Sequence, residues 1–174
     1  MKTLIIYATK TGTTAKCAEM LSKLIADSEL YNLANGEPDI SGYDNIALGG
    51  PIRMGALHPA VKRFAEKHTV ELIGKNAGYF ICSCVTENTE QTMAQNFPAI
   101  LLENAVCKAS FGGEMDPSRQ KGADKLVIKL AARSFMKDPS KKPSILPKEI
   151  ERFASAMLED HLYDGFDPDD EEPR

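Results

Sequence analysis

The sequence predicts an α/β fold in which five parallel strands form a doubly wound sheet with helices on both faces. Short apolar runs alternate along the chain with segments whose apolar residues recur at helical spacing. The first run ends in a polar turn with one glycine, and a helical pattern follows at once. No internal repeat or linker interrupts this alternation. We therefore expect one domain over residues 1–162, followed by an acidic tail over residues 163–174.

Each predicted strand is a short apolar run bounded by polar residues, glycine or proline. The five runs are Leu4 to Ala8, Glu29 to Leu33, Asn45 to Leu48, residues 77–85 and Asn104 to Phe111. Helical patterns cover Cys17 to Ile25, a segment starting near Pro59, Glu87 to Leu102 and the segment after Pro147. Pro98 must kink or divide the third helix, because proline has no N–H to donate and clashes with the preceding turn.

The composition is that of a soluble globular protein. Hydrophobic residues make up 43% of the chain, yet no apolar run approaches the length of a membrane span. The N-terminus lacks the pattern of a signal peptide, which predicts a cytoplasmic protein with reduced cysteines. From Glu159 to Arg174 the net charge is −7, so the remainder carries only +3 and gives no strong case for nucleic acid as a partner.

The turn after the first strand has the composition of an anion site. Thr9, Thr11, Thr13 and Thr14 supply hydroxyl donors, and Gly12 allows close backbone approach. The following helix start offers unpaired N–H groups and a partial positive charge. Neither a dinucleotide fingerprint nor a P-loop is present, so a monophosphate is the favoured ligand. The alternative is an ordinary strand-to-helix turn with a threonine cap.

Two further loops are expected beside this turn. Ligands of a doubly wound sheet bind beyond the carboxyl ends of its strands. Those ends supply Thr9 to Thr14, Gly49 to Gly55 and Ser83 to Glu87, all rich in small or hydroxyl residues. The three loops therefore predict one cleft.

Two of these loops resemble the flavodoxin family. The spacing T-x-T-G-x-T from Thr9 to Thr14 is similar to its phosphate loop. The segment from Gly49 to His58 looks like the G-x-x-I-R-x-G segment of the branch that contains the menaquinone-dependent protoporphyrinogen dehydrogenases. The resemblance covers almost the whole body, including Gly112 to Lys137. It implies a flavodoxin-like sheet of order 2-1-3-4-5, an insert after strand 5, and FMN as cofactor.

The same resemblance implies the cofactor-binding residues. The phosphate cradle would be Thr9, Lys10, Thr11, Gly12, Thr13 and Thr14. The loops on either side of the isoalloxazine ring would be Pro51, Ile52, Arg53, Met54 and Gly55, and Ser83, Cys84, Val85 and Thr86. Backbone atoms at Met54 and Gly55 are candidates for the hydrogen bond to flavin N5, since a glycine peptide reorients at low cost. Gly55 is otherwise a plain turn glycine.

Arg53 and His58 are the candidate catalytic residues. Arg53 would stabilise an anionic reduced flavin or an anionic substrate group; the alternative is a surface ion pair. His58 follows the flavin loop and would donate a proton during reduction; the alternative is a solvated or capping histidine. Cys84 is expected near the flavin edge. No metal site is expected, because no histidine lies near the paired cysteines Cys82 and Cys84.

The sequence also departs from the family pattern. It contains no tryptophan, and neither flavin loop offers an aromatic stacking partner, so Met54 and Leu57 are expected to cover the ring. Tyr79 and Phe80 are expected in the core. The segment from Glu114 to Gln120 lacks the aromatic residues associated with the porphyrinogen enzyme. Flavin chemistry is therefore transferred from the resemblance, but that substrate is not.

Residues 114–143 form a long connection before the last helix. Basic residues recur every four positions within it, at Lys121, Lys125, Lys129, Arg133 and Lys137. On a helix these residues share one side, so residues 121–137 are expected either to contact an anionic membrane peripherally or to dock an acidic partner. The alternative is a helix packed on the body with its basic side in water.

Three functions remain open from the sequence. The leading one is an FMN-dependent oxidoreductase or electron-transfer protein that uses a quinone or a redox partner protein. The second is a one-electron carrier without a substrate of its own. The third is an interaction module that has kept the fold and lost FMN.

Overall fold

The structure is a computed structural model that describes residues 1–114 and 143–159 of the 174-residue chain. Within these residues six strands are present. They are β1 (Thr3–Tyr7), β2 (Ser28–Asn32), β3 (Asn45–Arg53), β4 (Ala56–Leu57), β5 (Asn76–Cys82) and β6 (Cys107–Ser110). The hydrogen-bonded order is β2-β1-β3-β5-β6, and all these pairs are parallel. Without the two-residue β4, which pairs antiparallel with β3, this is the predicted order.

The described α-helices connect successive strands, as a parallel sheet requires, except for the last, which follows β6. They are α1 (Thr13–Leu24), α2 (Pro59–Lys67), α3 (Thr69–Ile73), α4 (Thr89–Asn96), α5 (Ala99–Glu103) and α6 (Pro147–Leu158). Pro59 and Pro147 begin their helices, where the missing N–H costs nothing. Pro98 divides the predicted helix from Glu87 to Leu102 into α4 and α5, which confirms its expected effect.

Alternation along the central strands builds two cores on opposite faces of the sheet. Ile6, Leu48 and Tyr79 belong to the core under α2 to α5. The neighbouring residues Ile5, Ala47 and Phe80 point to the other face, where α1 and α6 pack. Tyr79 and Phe80 are therefore core residues, as predicted. Helices on both faces leave the carboxyl ends of the strands as the open edge.

Several predicted boundaries were wrong. β5 ends at Cys82 instead of residue 85, because Ser83 turns the chain: its hydroxyl accepts from the Val85 N–H at 3.1 Å. β6 is shorter than the predicted strand from Asn104 to Phe111. β3 continues beyond Leu48 to Arg53, because Gly49, Gly50 and Pro51 pair with β5 before the chain turns back into β4. The hairpin of β3 and β4 and the short helix α3 were missed.

Two predictions fall on parts of the chain outside the described residues. The basic helix over 121–137 lies in one of them, and the acidic tail over 163–174 lies in the other. None of the described helices is long and apolar enough to cross a bilayer.

Candidate functional site

A cleft of about 530 Å³ opens at the carboxyl ends of β1, β3 and β5. It brings together parts of all three predicted loops. Most of the predicted site residues line it: Thr9, Lys10, Thr11, Thr13, Thr14, Pro51, Ile52, Arg53, Met54, Gly55, Ser83, Cys84 and Val85. Gly12, Thr86 and His58 are not among its lining residues. The sequence reasoning missed Cys82, Asn88, Thr92, Gly113 and Glu114, which line it from β5, α4 and the segment after β6.

The first loop is a compact turn with an open helix end. Gly12 is the N-cap of α1 with φ 92°, a conformation that favours glycine. Its N–H donates to the Thr9 hydroxyl at 3.0 Å, which closes the turn. Among the described residues no side chain caps α1. The threonine cap considered as the alternative is therefore absent, and in this part of the chain the N–H groups of the first helical turn have no side-chain acceptor.

Thr14 adds an unsatisfied hydroxyl at the same helix end. The residue is 1% exposed, and its Oγ1 has no hydrogen-bond partner among the described residues. The hydroxyl lies near the Cys82 thiol and lowers its pKa, but the two make no hydrogen bond of acceptable geometry. The pKa of Cys82 is nevertheless raised, chiefly by hydrogen bonding with Cys17 and by burial. A buried hydroxyl without a partner costs about 1–3 kcal/mol, and Thr14 lines the cleft, so its hydroxyl is available to hydrogen-bond a ligand there.

The second loop is a two-residue hairpin turn. Ile52 pairs with Leu57 and Arg53 with Ala56, which leaves Met54 and Gly55 as the turn. Both have positive φ, 50° for Met54 and 79° for Gly55, as type I′ hairpin turns require. Gly55 tolerates this conformation, whereas the methionine is strained by about 1 kcal/mol. Met54 is fully exposed where it lines the cleft, so its place over the ring stays a prediction. Leu57 is buried in the core and is not among the lining residues, so it does not cover the cleft as predicted.

The side chain of Asn96 on α4 is hydrogen-bonded to the backbone of this hairpin. Its Oδ1 accepts from the Leu57 N–H at 2.8 Å, and its Nδ2 donates to the Gly55 carbonyl at 2.9 Å. A third bond joins Nδ2 to the Thr92 carbonyl at 2.8 Å. The residue is 6% exposed. Sequence patterns do not indicate this role, since the hairpin groups that Asn96 binds are backbone atoms about 40 residues away.

The two candidate catalytic residues lie in different settings. Arg53 is half-buried and lines the cleft at the end of β3. His58 is the N-cap of α2, and its Nδ1 accepts from the Ala60 N–H at 3.3 Å. Burial, together with the charges of Lys10 and Arg63, lowers the pKa of His58. His58 therefore caps α2, which was the alternative to a catalytic role, and catalysis by His58 stays a prediction.

The third loop places one accessible thiol at the cleft. Cys84 is exposed, while burial of its thiol still raises its pKa. Val85 beside it is 62% exposed, so this side of the cleft has an apolar rim. Within residues 1–114 and 143–159, no group of histidines, cysteines and carboxylates is arranged to hold a metal ion.

Glu114 closes the phosphate-loop end of the cleft. Its carboxylate accepts from the Lys16 ammonium at 2.9 Å, between the first turn of α1 and the segment after β6. Both side chains are partly solvent-exposed, so this ion pair contributes little stability. Its position keeps the acidic group of Glu114 neutralised beside a predicted anion site.

Comparisons with known proteins found relatives in sequence and in structure. The protoporphyrinogen IX dehydrogenase [quinone] of Escherichia coli K12 is 25% identical over 176 residues, covering 94% of this chain and 97% of its own. A short-chain flavodoxin associated with a non-canonical PDU bacterial microcompartment has a TM-score of 0.52 at 13% identity, over 91% of this chain and 97% of its own. A flavoprotein of Lactobacillus acidophilus NCFM, solved in complex with FMN, has a TM-score of 0.47 at 19% identity, over 63% of this chain and 92% of its own.

The family itself is settled by a match to a sequence model. The flavodoxin domain model matches residues 4–142, which is most of the chain and contains the three cleft loops. The parallel sheet and the cleft at its carboxyl edge fit that assignment. The chain is a member of the flavodoxin domain family.

Proposed function

We propose that this protein binds FMN in the cleft and is an oxidoreductase that transfers electrons to or from a quinone or a redox partner protein. The observation that carries the proposal is the pairing of an uncapped helix N-terminus, containing the unsatisfied Thr14 hydroxyl, with a strained hairpin turn on the same cleft. The first feature suits a phosphate and the second suits the edge of a flat ring.

The residues of the first loop fit the phosphate of FMN. Three threonines with hydroxyl groups line the cleft, namely Thr9, Thr11 and Thr13. Thr14, at the start of α1, has a hydroxyl without a hydrogen-bond partner among the described residues. Backbone N–H groups and hydroxyls suit a monophosphate, and the α1 dipole favours its negative charge. Lys10 also lines this end of the cleft and adds positive charge.

The remaining cleft fits a flat heterocycle. The whole cleft, with the first loop included, has a volume of about 530 Å³, which lies within the usual range for small-molecule sites. The hairpin turn and the third loop would flank the ring, with Met54 and Val85 exposed at the two rims. Bound FMN would supply the hydride and single-electron chemistry, while the protein binds and orients the ring.

Two groups of the chain would act on the ring. The turn between Met54 and Gly55 would offer a backbone hydrogen bond to flavin N5, and the glycine side of that peptide reorients without steric cost. Arg53 would place a positive charge beside the ring and favour added negative charge there. Electrons would pass at the rim that these two loops form.

The choice of acceptor rests on the curated relative. The Escherichia coli relative is named as a quinone-dependent dehydrogenase, and it aligns with this chain over nearly the whole length of both proteins. We extend the quinone acceptor to this protein as part of the proposal, and we leave out the porphyrinogen substrate. Membrane contact through residues 121–137 stays a prediction, since those residues lie outside the described part of the chain.

Reconstitution with FMN followed by anaerobic reductive titration tests the function. We expect FMN to bind with a changed flavin spectrum, and we expect reduction in one two-electron step with rapid reoxidation by a soluble quinone. Accumulation of half-reduced flavin without quinone turnover would instead identify a one-electron carrier. A chain that leaves the FMN spectrum unchanged would refute the proposal and favour the interaction module.

A further inference from the structure

The Asn96 side chain uses its carboxamide to join α4 to the hairpin of β3 and β4. It accepts from the Leu57 N–H and donates to the Gly55 carbonyl, on either side of Ala56. The third bond, to the Thr92 carbonyl, ties the same amide to its own helix. With 6% exposure the group is shielded from water, so none of these bonds is readily replaced.

These contacts divide the hairpin turn into a fixed part and a free part. The Gly55 carbonyl and the Leu57 N–H are held, which fixes the peptides on both sides of Ala56. The peptide between Met54 and Gly55 makes no hydrogen bond within the described part of the chain. It is also the peptide flanked by the two positive φ angles. Any reorientation of the turn is thus confined to that one peptide.

We propose that Asn96 is a positioning residue that holds the hairpin turn in the form that recognises the flavin ring. The inference rests on the proposed binding of FMN and adds the group that organises its ring-side loop. Asn96 does not line the cleft, so it acts through Gly55 and Leu57. Without it, the turn must be ordered when the ring binds, and the ordering entropy weakens binding.

The location of Asn96 predicts which part of the ligand is affected. The predicted phosphate loop connects β1 to α1, whereas the hydrogen bonds of Asn96 go to Gly55, Leu57 and Thr92. Loss of the carboxamide should therefore weaken FMN and riboflavin by the same factor, since the two ligands share the ring and differ in the phosphate. We expect about a tenfold rise in both dissociation constants for Asn96→Ala, the loss of about one organised hydrogen bond.

Met93→Ala provides a matched control on the same helix. Met93 is 2% exposed in the core beneath α4, so its truncation destabilises the helix without removing the hydrogen bonds of Asn96 to the hairpin. Asn96→Asp separates the two hairpin bonds, because a carboxylate still accepts from the Leu57 N–H and cannot donate to the Gly55 carbonyl. We expect the Leu57 amide to stay protected from hydrogen exchange in Asn96→Asp and to exchange faster in Asn96→Ala.

The experiment measures flavin affinity, midpoint potential and amide exchange for the wild type and these three variants, each under conditions in which it is folded. In each Asn96 variant, FMN and riboflavin weakened by the same factor and a shifted midpoint potential, with affinities and potential unchanged in Met93→Ala, support the inference. Unchanged affinity and potential in Asn96→Ala, or an equal effect of Met93→Ala, overturns it while the proposed function stands. A wild-type chain that binds neither flavin overturns both.

Discussion

Gly49 on β3 lies directly against Phe80, its register partner on β5, at the point where the cleft begins. A Cβ atom built on Gly49 would come within 2.3 Å of the Phe80 carbonyl oxygen and within 2.4 Å of its ring. Phe80 cannot move away, because its ring stacks on Phe111 at 4.6 Å between centroids and contacts Phe153 edge-on. The absence of a side chain at residue 49 therefore permits the close packing of the two central strands.

Gly49→Ala should destabilise the protein by about 3 kcal/mol or more, because the added methyl group meets backbone on a neighbouring strand. Denaturant unfolding of the ligand-free protein measures the loss. Gly42→Ala is the matched control, since a Cβ atom there meets nothing within 4 Å, and we expect a change below about 1 kcal/mol. Equal stabilities of the two variants would contradict this account of the strand packing.

The sequence predicted the sheet because its signal is local and repeated. Runs such as Leu4 to Ala8 are buried on both faces and read as continuous apolar strands. Boundaries were less predictable where pairing with another strand decides them. Gly49, Gly50 and Pro51 have poor strand propensity, and β3 continues through them to Arg53 only because β5 and then β4 pair with this segment.

In the candidate site, too, contacts within one short segment were easier to predict than contacts between distant segments. The loop from Thr9 to Thr14 was predictable because its glycine and threonines lie within six residues, and a hydrogen bond between Gly12 and Thr9 closes its turn. Asn96 was not, because its contacts with Gly55 and Leu57 exist only after α4 has packed against the hairpin. Leu57 was expected over the ring from its apolar character, yet its pairing with Ile52 places it in the core.

Arg53→Ala should lower the midpoint potential of bound FMN, because the guanidinium favours negative charge on the reduced ring. A charge at about 5 Å contributes roughly 1–3 kcal/mol at the dielectric of a partly exposed site, or about 20–65 mV for a two-electron couple. Arg53→Lys keeps the charge and serves as the control. Spectroelectrochemical titration measures the potentials, and identical values for the wild type and Arg53→Ala would show that this charge does not act on the flavin.

His58 should make stability depend on pH through its cap on α2. Burial and the nearby cations lower its pKa in the folded protein below the ordinary value of 6.5. The folded state thus favours the neutral ring, whose Nδ1 accepts from Ala60. Its contribution is complete above the unfolded pKa and is lost as pH falls through the lowered folded pKa.

His58→Asn isolates that contribution, since asparagine caps helices and does not titrate. Between pH 7.5 and pH 5 we expect the wild type to lose more unfolding free energy than the variant, by up to about 1 kcal/mol, the usual worth of an N-cap. Other titrating groups cancel in the comparison. Parallel pH profiles from urea unfolding would mean that protonation of His58 does not disturb the cap.

Thr14→Val should change stability and ligand binding in opposite directions. Valine has the shape of threonine without the hydroxyl, so the variant removes a buried oxygen that has no partner among the described residues. The ligand-free protein should become more stable by about 1 kcal/mol. FMN should bind tenfold to a hundredfold more weakly, because a hydrogen bond to a charged phosphate contributes about 1.5–3 kcal/mol.

Riboflavin and a second variant show whether the Thr14 hydroxyl meets the phosphate. Riboflavin lacks the phosphate, so its affinity should hardly change in Thr14→Val. Thr14→Ser keeps the hydroxyl and loses a buried methyl group, which should lower stability and preserve FMN binding. Calorimetric titration gives the affinities and thermal unfolding gives the stabilities. If Thr14→Val bound FMN as tightly as the wild type, the unsatisfied hydroxyl would have no part in holding the phosphate, and the first loop would bind it through backbone N–H groups and its other threonines.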